Sequence, residues 1–136
     1  MKYLLDTDVL AELMRPVPSS ALLRRVASTT AADQATSSIA LGELVYGTAF
    51  VEHRATDRPQ PVDEAVLANL RVIPFDEPAA QTYGRLRAEL EQRGVGVEET
   101  DLRVASIALA HSLILVTAAV SRYEHIPSLT AENWLT

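Results

Sequence analysis

The sequence predicts an α/β fold with a largely parallel sheet. Three observations carry that expectation. A short apolar run, Lys2–Leu5, stops at Asp6. A second run, Leu113–Thr117, is apolar up to its closing threonine. Helix-period segments lie between them, the clearest at Glu77–Arg93. Strands alternating with helices favour crossover units and parallel pairing. A chain of 136 residues, 48% hydrophobic, fits one domain spanning residues 1–136 with a core of ordinary size.

Each element has a local reason. Lys2–Leu5 reads as the first strand. Val9–Arg15 reads as a helix halted by Pro16 and Pro18. Ser19 can cap a second helix from Ser20 to about Ala32. Ala35–Ser37 is a short strand candidate, after which Ser38 offers a cap for a helix reaching about Phe50. Leu41, Leu44, Val45 and Thr48 share one side of that helix, although Gly42 and Gly47 each cost it roughly 1 kcal/mol relative to alanine. The polar stretch Arg54–Pro61 reads as a loop and Val62–Asn69 as a short helix. Arg71–Phe75 is a third strand. Glu77–Arg93 places Tyr83, Leu86 and Leu90 at helical spacing, with Gly94 just past its end. Thr100–His111 aligns Leu102, Ala105 and Leu109 on one face. Leu113–Thr117 reads as a buried interior strand, and Leu129–Leu135 as a last short one.

Composition narrows the function. There is no cysteine, so a disulfide framework and thiolate metal sites are excluded. The first apolar run is broken by Asp6 and Asp8, which fits neither a signal peptide nor a membrane span. A cytoplasmic protein with no membrane association is expected. The net charge of −6 argues against a general nucleic-acid binder, unless clustered carboxylates hold a cation that offsets them. Lys2 is the only lysine; every other basic side chain is arginine, which suits bidentate phosphate contacts. His53, His111 and His125 sit near predicted element ends and form no metal-binding pair.

In an open parallel sheet, ligands bind at the carboxyl ends of the strands. Asp6 ends the first strand. Glu43 lies five residues into the helix that follows the second, about 7.5 Å along its axis. Asp101, with Glu98 and Glu99 beside it, opens a helix that should run antiparallel to Leu113–Thr117, so its first turn lies at the same edge. Singly, each acid has a plain structural role as a cap, a helix-dipole partner or a solvated side chain. Converging without a cationic partner, Asp6, Glu43 and Asp101 would repel unless their pKa values rise or a metal joins them. Oxygen ligands favour Mg²⁺, with Mn²⁺ as the alternative, and that apparatus suits phosphodiester hydrolysis.

The segments LLDTDVLAEL at 4–13, SSIALGELVYG at 37–47, ETDLRVASIALAHSLILVT at 99–117 and IPSLTAENWL at 126–135 together resemble the VapC toxins of the PIN-domain family. The resemblance implies a PIN-like three-layer α/β/α sandwich. It also implies an Mg²⁺- or Mn²⁺-dependent endoribonuclease, the toxin of a type II toxin–antitoxin pair, with an RNA substrate, a VapB-type antitoxin and a homodimeric state. Metal-binding roles fall on Asp6 and Asp101, with Glu43 as the third acid, Glu99 as an additional candidate and Thr117 as a supporting residue. One departure stands out. Thr117 is followed by Ala118-Ala119-Val120, where the family carries a further acidic or polar side chain at the position of Ala119. The site would then hold fewer ligands or borrow Glu99 or Glu124. A catalytically weakened module that binds antitoxin or RNA without efficient cleavage is the alternative. Haloacid-dehalogenase-like phosphatases and receiver domains also place aspartates after a first strand, but both need a late lysine that this chain lacks.

Overall fold

The computed structural model describes residues 1–54 and 68–136, and the side chains of all of these except 51–54. Five strands form one sheet in the order β3-β2-β1-β4-β5. They are β1 Tyr3–Leu5, β2 Gln34–Ser37, β3 Arg71–Ile73, β4 Ile114–Val116 and β5 Ala131–Glu132. Every pairing is parallel, with Leu4 opposite Ala35 on one side and Leu115 on the other. The helices are α1 Thr7–Leu13, α2 Ser20–Ser28, α3 Ser38–Arg54, α4 Glu77–Gln92 and α5 Glu99–Ala110, with 3₁₀ turns at Ala31–Asp33 and Val120–Tyr123. α3 runs past the expected end at Phe50 to Arg54; the rest of the loop expected at Arg54–Pro61, nearly all of the helix expected at Val62–Asn69, and the side chain of His53 lie outside the described residues.

Strand side chains alternate between faces, so adjacent leucines in β1 feed separate cores. Leu4 joins Ala35, Ile73 and Leu115 beneath α4 and α5, where Leu86, Leu90, Leu102 and Ile107 complete the packing. Leu5 and Val116 point the other way, onto Val9 and Leu10 of α1, Leu22 of α2 and Ala40 and Leu44 of α3. A sheet with a core on each face is the expected three-layer α/β/α sandwich. Both faces of β1 and β4 are covered, which explains their unbroken apolar character. β1 holds the middle of the sheet, with β4 beside it.

Several boundaries differ from the sequence expectation, each for a local reason. α1 begins at Thr7 rather than Val9 because Asp6 is its cap, accepting the Thr7 N–H at 2.9 Å. α2 stops at Ser28, short of Ala32. The Ser28 and Thr29 hydroxyls both donate to the Arg25 carbonyl, and Thr29 is extended. The cap of α3 is Ser37, not Ser38: the Ser37 hydroxyl accepts the Ala40 N–H at 2.9 Å. Gly94 closes α4 at φ 69° while Val95 N–H reaches back to the Leu90 carbonyl, a turn that favours glycine. The last strand shrinks to Ala131–Glu132, after which Trp134 folds onto Tyr3 with ring centroids 4.9 Å apart.

Candidate active site at the carboxyl edge of the sheet

Asp6 follows β1 directly, and its N–H donates to the Val116 carbonyl, so β4 fixes the backbone at this point. Its side chain is buried. One carboxylate oxygen caps α1, and the other accepts the Tyr123 hydroxyl at 2.8 Å. Burial pushes the Asp6 carboxyl above the usual carboxylate range. The N–H of Thr7 and the hydroxyl of Tyr123 oppose that shift, and the charge of nearby Asp8 adds to it.

Asp101 sits in the first turn of α5, and its side chain is only 5% exposed. The Tyr123 hydroxyl lies 3.3 Å from its Oδ1 as well, so one phenol spans both aspartates. That phenol has a single proton, and the shorter contact assigns it to Asp6. Asp101 is held instead by Arg122, which forks onto the carboxylate with Nε 3.0 Å from Oδ2 and Nη2 on Oδ1. Burial and the two neighbouring carboxylates push the Tyr123 phenol well above its ordinary range.

Thr117 is fully buried at the end of β4. Its hydroxyl donates to Asp8 Oδ2 at 3.2 Å and accepts the Ala119 N–H at 3.2 Å, while Ala118 N–H also donates to Asp8 Oδ2. The other Asp8 oxygen, Oδ1, is buried without a hydrogen-bond partner among the described residues. A carboxylate oxygen in that condition suits a cation. Like Asp6 and Asp101 it offers only oxygen, the donor type that a hard divalent ion takes.

The structure thus brings Asp6, Asp101 and Thr117 to one edge, as the topology requires, but does not draw in the other acids. Among the described residues no three acidic or histidine side chains gather as a metal-holding cluster. Glu43 is exposed in the second turn of α3, because the buried side of that helix is taken by Ala40 and Leu44. Glu99 faces away, bound to the Tyr83 hydroxyl and to Arg103, and its carboxyl is held below the usual range chiefly by the Tyr83 hydrogen bond. Glu124 is paired at the surface with His125. Neither Glu99 nor Glu124 therefore replaces the side chain missing at Ala119. The expected absence of a cationic partner is also corrected: Arg122 neutralises Asp101 from within the chain. Sequence reasoning missed Arg122 and Tyr123. Their only signal was position, just beyond the end of β4, and side-chain type could not reveal that a 3₁₀ turn aims both back at the aspartates.

Residues 3–120 match the PIN domain family. The chain belongs to it. Among curated relatives, Ribonuclease VapC2 of Rickettsia felis is 34% identical over 134 residues, 98% of each chain. The tRNA(fMet)-specific endonuclease VapC of Salmonella typhimurium is 31% identical, also over 98% of each. Among solved structures, VapBC2 from Rickettsia felis, bound to a promoter DNA fragment, superposes with a TM-score of 0.83 at 32% identity. That match covers 98% of this chain and 99% of the other. DNA-bound VapBC from Salmonella typhimurium gives 0.82 at 30% identity, covering 98% of both. The PIN-like sandwich and the VapC resemblance are thereby established. No helix of the described residues is long and apolar enough to cross a membrane.

Proposed function

We propose that this PIN-domain protein is a divalent-metal-dependent endoribonuclease, the toxin of a type II pair silenced by a VapB-type antitoxin. The observation that carries the reading is the meeting of Asp6 and Asp101 at the carboxyl edge of the sheet, bridged by Tyr123, in a chain 34% identical to a ribonuclease VapC. Asp6 and Asp101 would hold Mg²⁺ or Mn²⁺, and the unpartnered Oδ1 of Asp8 offers a further oxygen. When bound, the cation supplies charge neutralisation at an RNA phosphate and a more acidic water. The chain's own residues fix the geometry. Asp6 is locked by its cap hydrogen bond, Asp101 by its burial in α5, and Thr117 holds Asp8 against the end of β4. Glu43, free at the surface of α3, is the third acid of the proposal. It would help to position metal and water at this edge.

The weakened-module reading draws on one specific feature: Ala118, Ala119 and Val120 bring no polar side chain to the strand end. An RNA-cleavage assay with Mg²⁺ and with chelator separates the two readings. Metal-dependent cleavage lost in a folded Asp6→Asn variant supports the enzyme. Cleavage that persists in that variant sinks the site assignment.

The solved neighbours that include a VapB chain support an antitoxin partner. In this proposal the protein is a homodimer, and the antitoxin's tail places a cationic residue, arginine by preference, near the acid pair. A complex whose partner stays clear of both aspartates and Glu43 counts against that arrangement.

A further inference from the structure

Arg122 and Asp101 form an unequal pair. Asp101 is carried by α5, whose Leu102, Val104, Ala105 and Ile107 are all buried, and its carboxylate is only 5% exposed. Arg122 rides on the short 3₁₀ turn Val120–Tyr123, and its side chain is 50% exposed. Freeing Asp101 by moving the acid means unpacking a core helix. Freeing it by moving the arginine needs only side-chain rotation into water. The fork engages both Asp101 oxygens, and the Tyr123 hydroxyl crowds Oδ1 as well. A cation approaching this carboxylate therefore meets one already in place. Were Arg122 simply absent, a nearly buried carboxylate would stand without a counter-charge, which is costly.

We propose that Arg122 is an exchangeable counterion for Asp101, holding the carboxylate until a divalent cation displaces the guanidinium and thereby setting the metal affinity of the site. The inference rests on reading Asp101 as a cation ligand. It assigns Arg122 a positioning role that Asp101 alone could not fill: the pair keeps α5 folded when metal is scarce and yields when metal is abundant.

Mn²⁺ titration followed by the electron paramagnetic resonance of the free ion tests this without any turnover. Arg122→Ala should bind Mn²⁺ about tenfold more tightly than the parent protein, because the ion no longer competes with a charge-assisted bidentate pair. Arg122→Lys, which keeps the charge but not the fork, should fall between them. Thermal melting supplies a second readout. Arg122→Ala should melt lower without metal and gain more from added Mn²⁺ than the parent does. Equal or weaker Mn²⁺ affinity in folded Arg122→Ala overturns the proposal, as does failure of both proteins to bind the ion. Should Arg122→Ala not fold, an Arg122→Lys affinity no tighter than the parent's overturns it equally. RNA cleavage by the parent keeps the outcomes distinct. Cleavage with unchanged Mn²⁺ affinity across the variants leaves the nuclease reading standing and removes the exchange. Tightened affinity without cleavage by any variant does the reverse.

Discussion

Replacing Tyr123 by phenylalanine isolates the hydroxyl that joins the two aspartates. The ring is 2% exposed and packs in the core beneath α4 and α5, so phenylalanine leaves no cavity and the change is confined to one oxygen. That oxygen donates to a buried Asp6 carboxylate at 2.8 Å. A hydrogen bond to a charged acceptor is worth ~1.5–3 kcal/mol, and its loss leaves Asp6 Oδ2 without its donor. The expected cost is about 2 kcal/mol, or roughly 5–10 °C in Tm for a domain of this size. Because the Tyr123 hydroxyl opposes the upward shift of the Asp6 pKa, its removal lifts that pKa further. A carboxyl whose folded pKa is raised contributes stability that is present at low pH and lost as pH rises through that pKa. The cost of Tyr123→Phe should thus grow from acid toward neutral pH. Urea denaturation of the metal-free protein at several pH values measures it. In an Asp6→Asn background the cost of Tyr123→Phe should fall to ~1 kcal/mol, since a neutral acceptor remains, and the double-mutant cycle reads the difference as the coupling. An unchanged midpoint at neutral pH, or a loss identical in the parent and in the Asp6→Asn background, refutes the reasoning.

Other outcomes follow from the same contacts. Ala119→Asp should tighten Mn²⁺ binding and speed RNA cleavage, because neither Glu99 nor Glu124 supplies the missing oxygen; calorimetry and timed cleavage check it, and equal or weaker binding would show that the extra carboxylate only adds repulsion. Glu43→Gln should leave the melting temperature within a degree or so, as expected of an exposed side chain, yet lower cleavage of RNA, so unimpaired cleavage removes Glu43 from the mechanism. Asp76 caps α4 through the Ala79 N–H and meets His111 at 3.0 Å, and both interactions hold its carboxyl below the usual range. Its contribution is present above the unfolded carboxylate pKa and disappears as pH falls through the lowered folded value. Asp76→Asn should therefore flatten the acid limb of a stability–pH curve, and an unaltered limb would exclude this pair as its source. Trp134→Ala should cost about 3–5 kcal/mol, judged by chemical denaturation, since the indole packs on Tyr3, lies under Arg25 and donates to Glu132.

What could be read from the residues follows a physical divide. Apolar runs, helix period and caps are local, so α4, β4 and the Ser19 cap are legible in sequence. Asp6 and Asp101 were legible too, because a parallel sheet fixes which ends of its elements share an edge. The direction of a side chain within that edge was not. Glu43 and Glu99 sit near the right end of the right helices, but helical phase points Glu43 to solvent and Tyr83 with Arg103 holds Glu99 elsewhere. The helix boundary at Ser28 depends on hydroxyls competing for one carbonyl, a contest that propensity does not resolve. Arg122 was hidden for the same reason as Tyr123: a short 3₁₀ turn has no periodicity from which to infer its aim.

The placement of β1 has a consequence for the order in which the protein acquires its parts. This strand lies between β2, about thirty residues onward, and β4, more than a hundred residues onward. Asp6 meets Tyr123 across a separation of 117 residues. Closing so long a loop costs entropy that no nearby contact repays, so the β1–β4 seam belongs to the slow part of folding. The half of the domain built from α1, α2, β2 and α3 can collapse around β1 earlier, with Asp6 still lacking both its phenol and the β4 carbonyl that anchors it. A newly made chain should pass through a stage that is compact yet has no acid pair, and hydrogen exchange of the Asp6 and Ile114 amides, which donate across the seam to Val116 and Lys2, would reveal it during refolding as late protection at both positions.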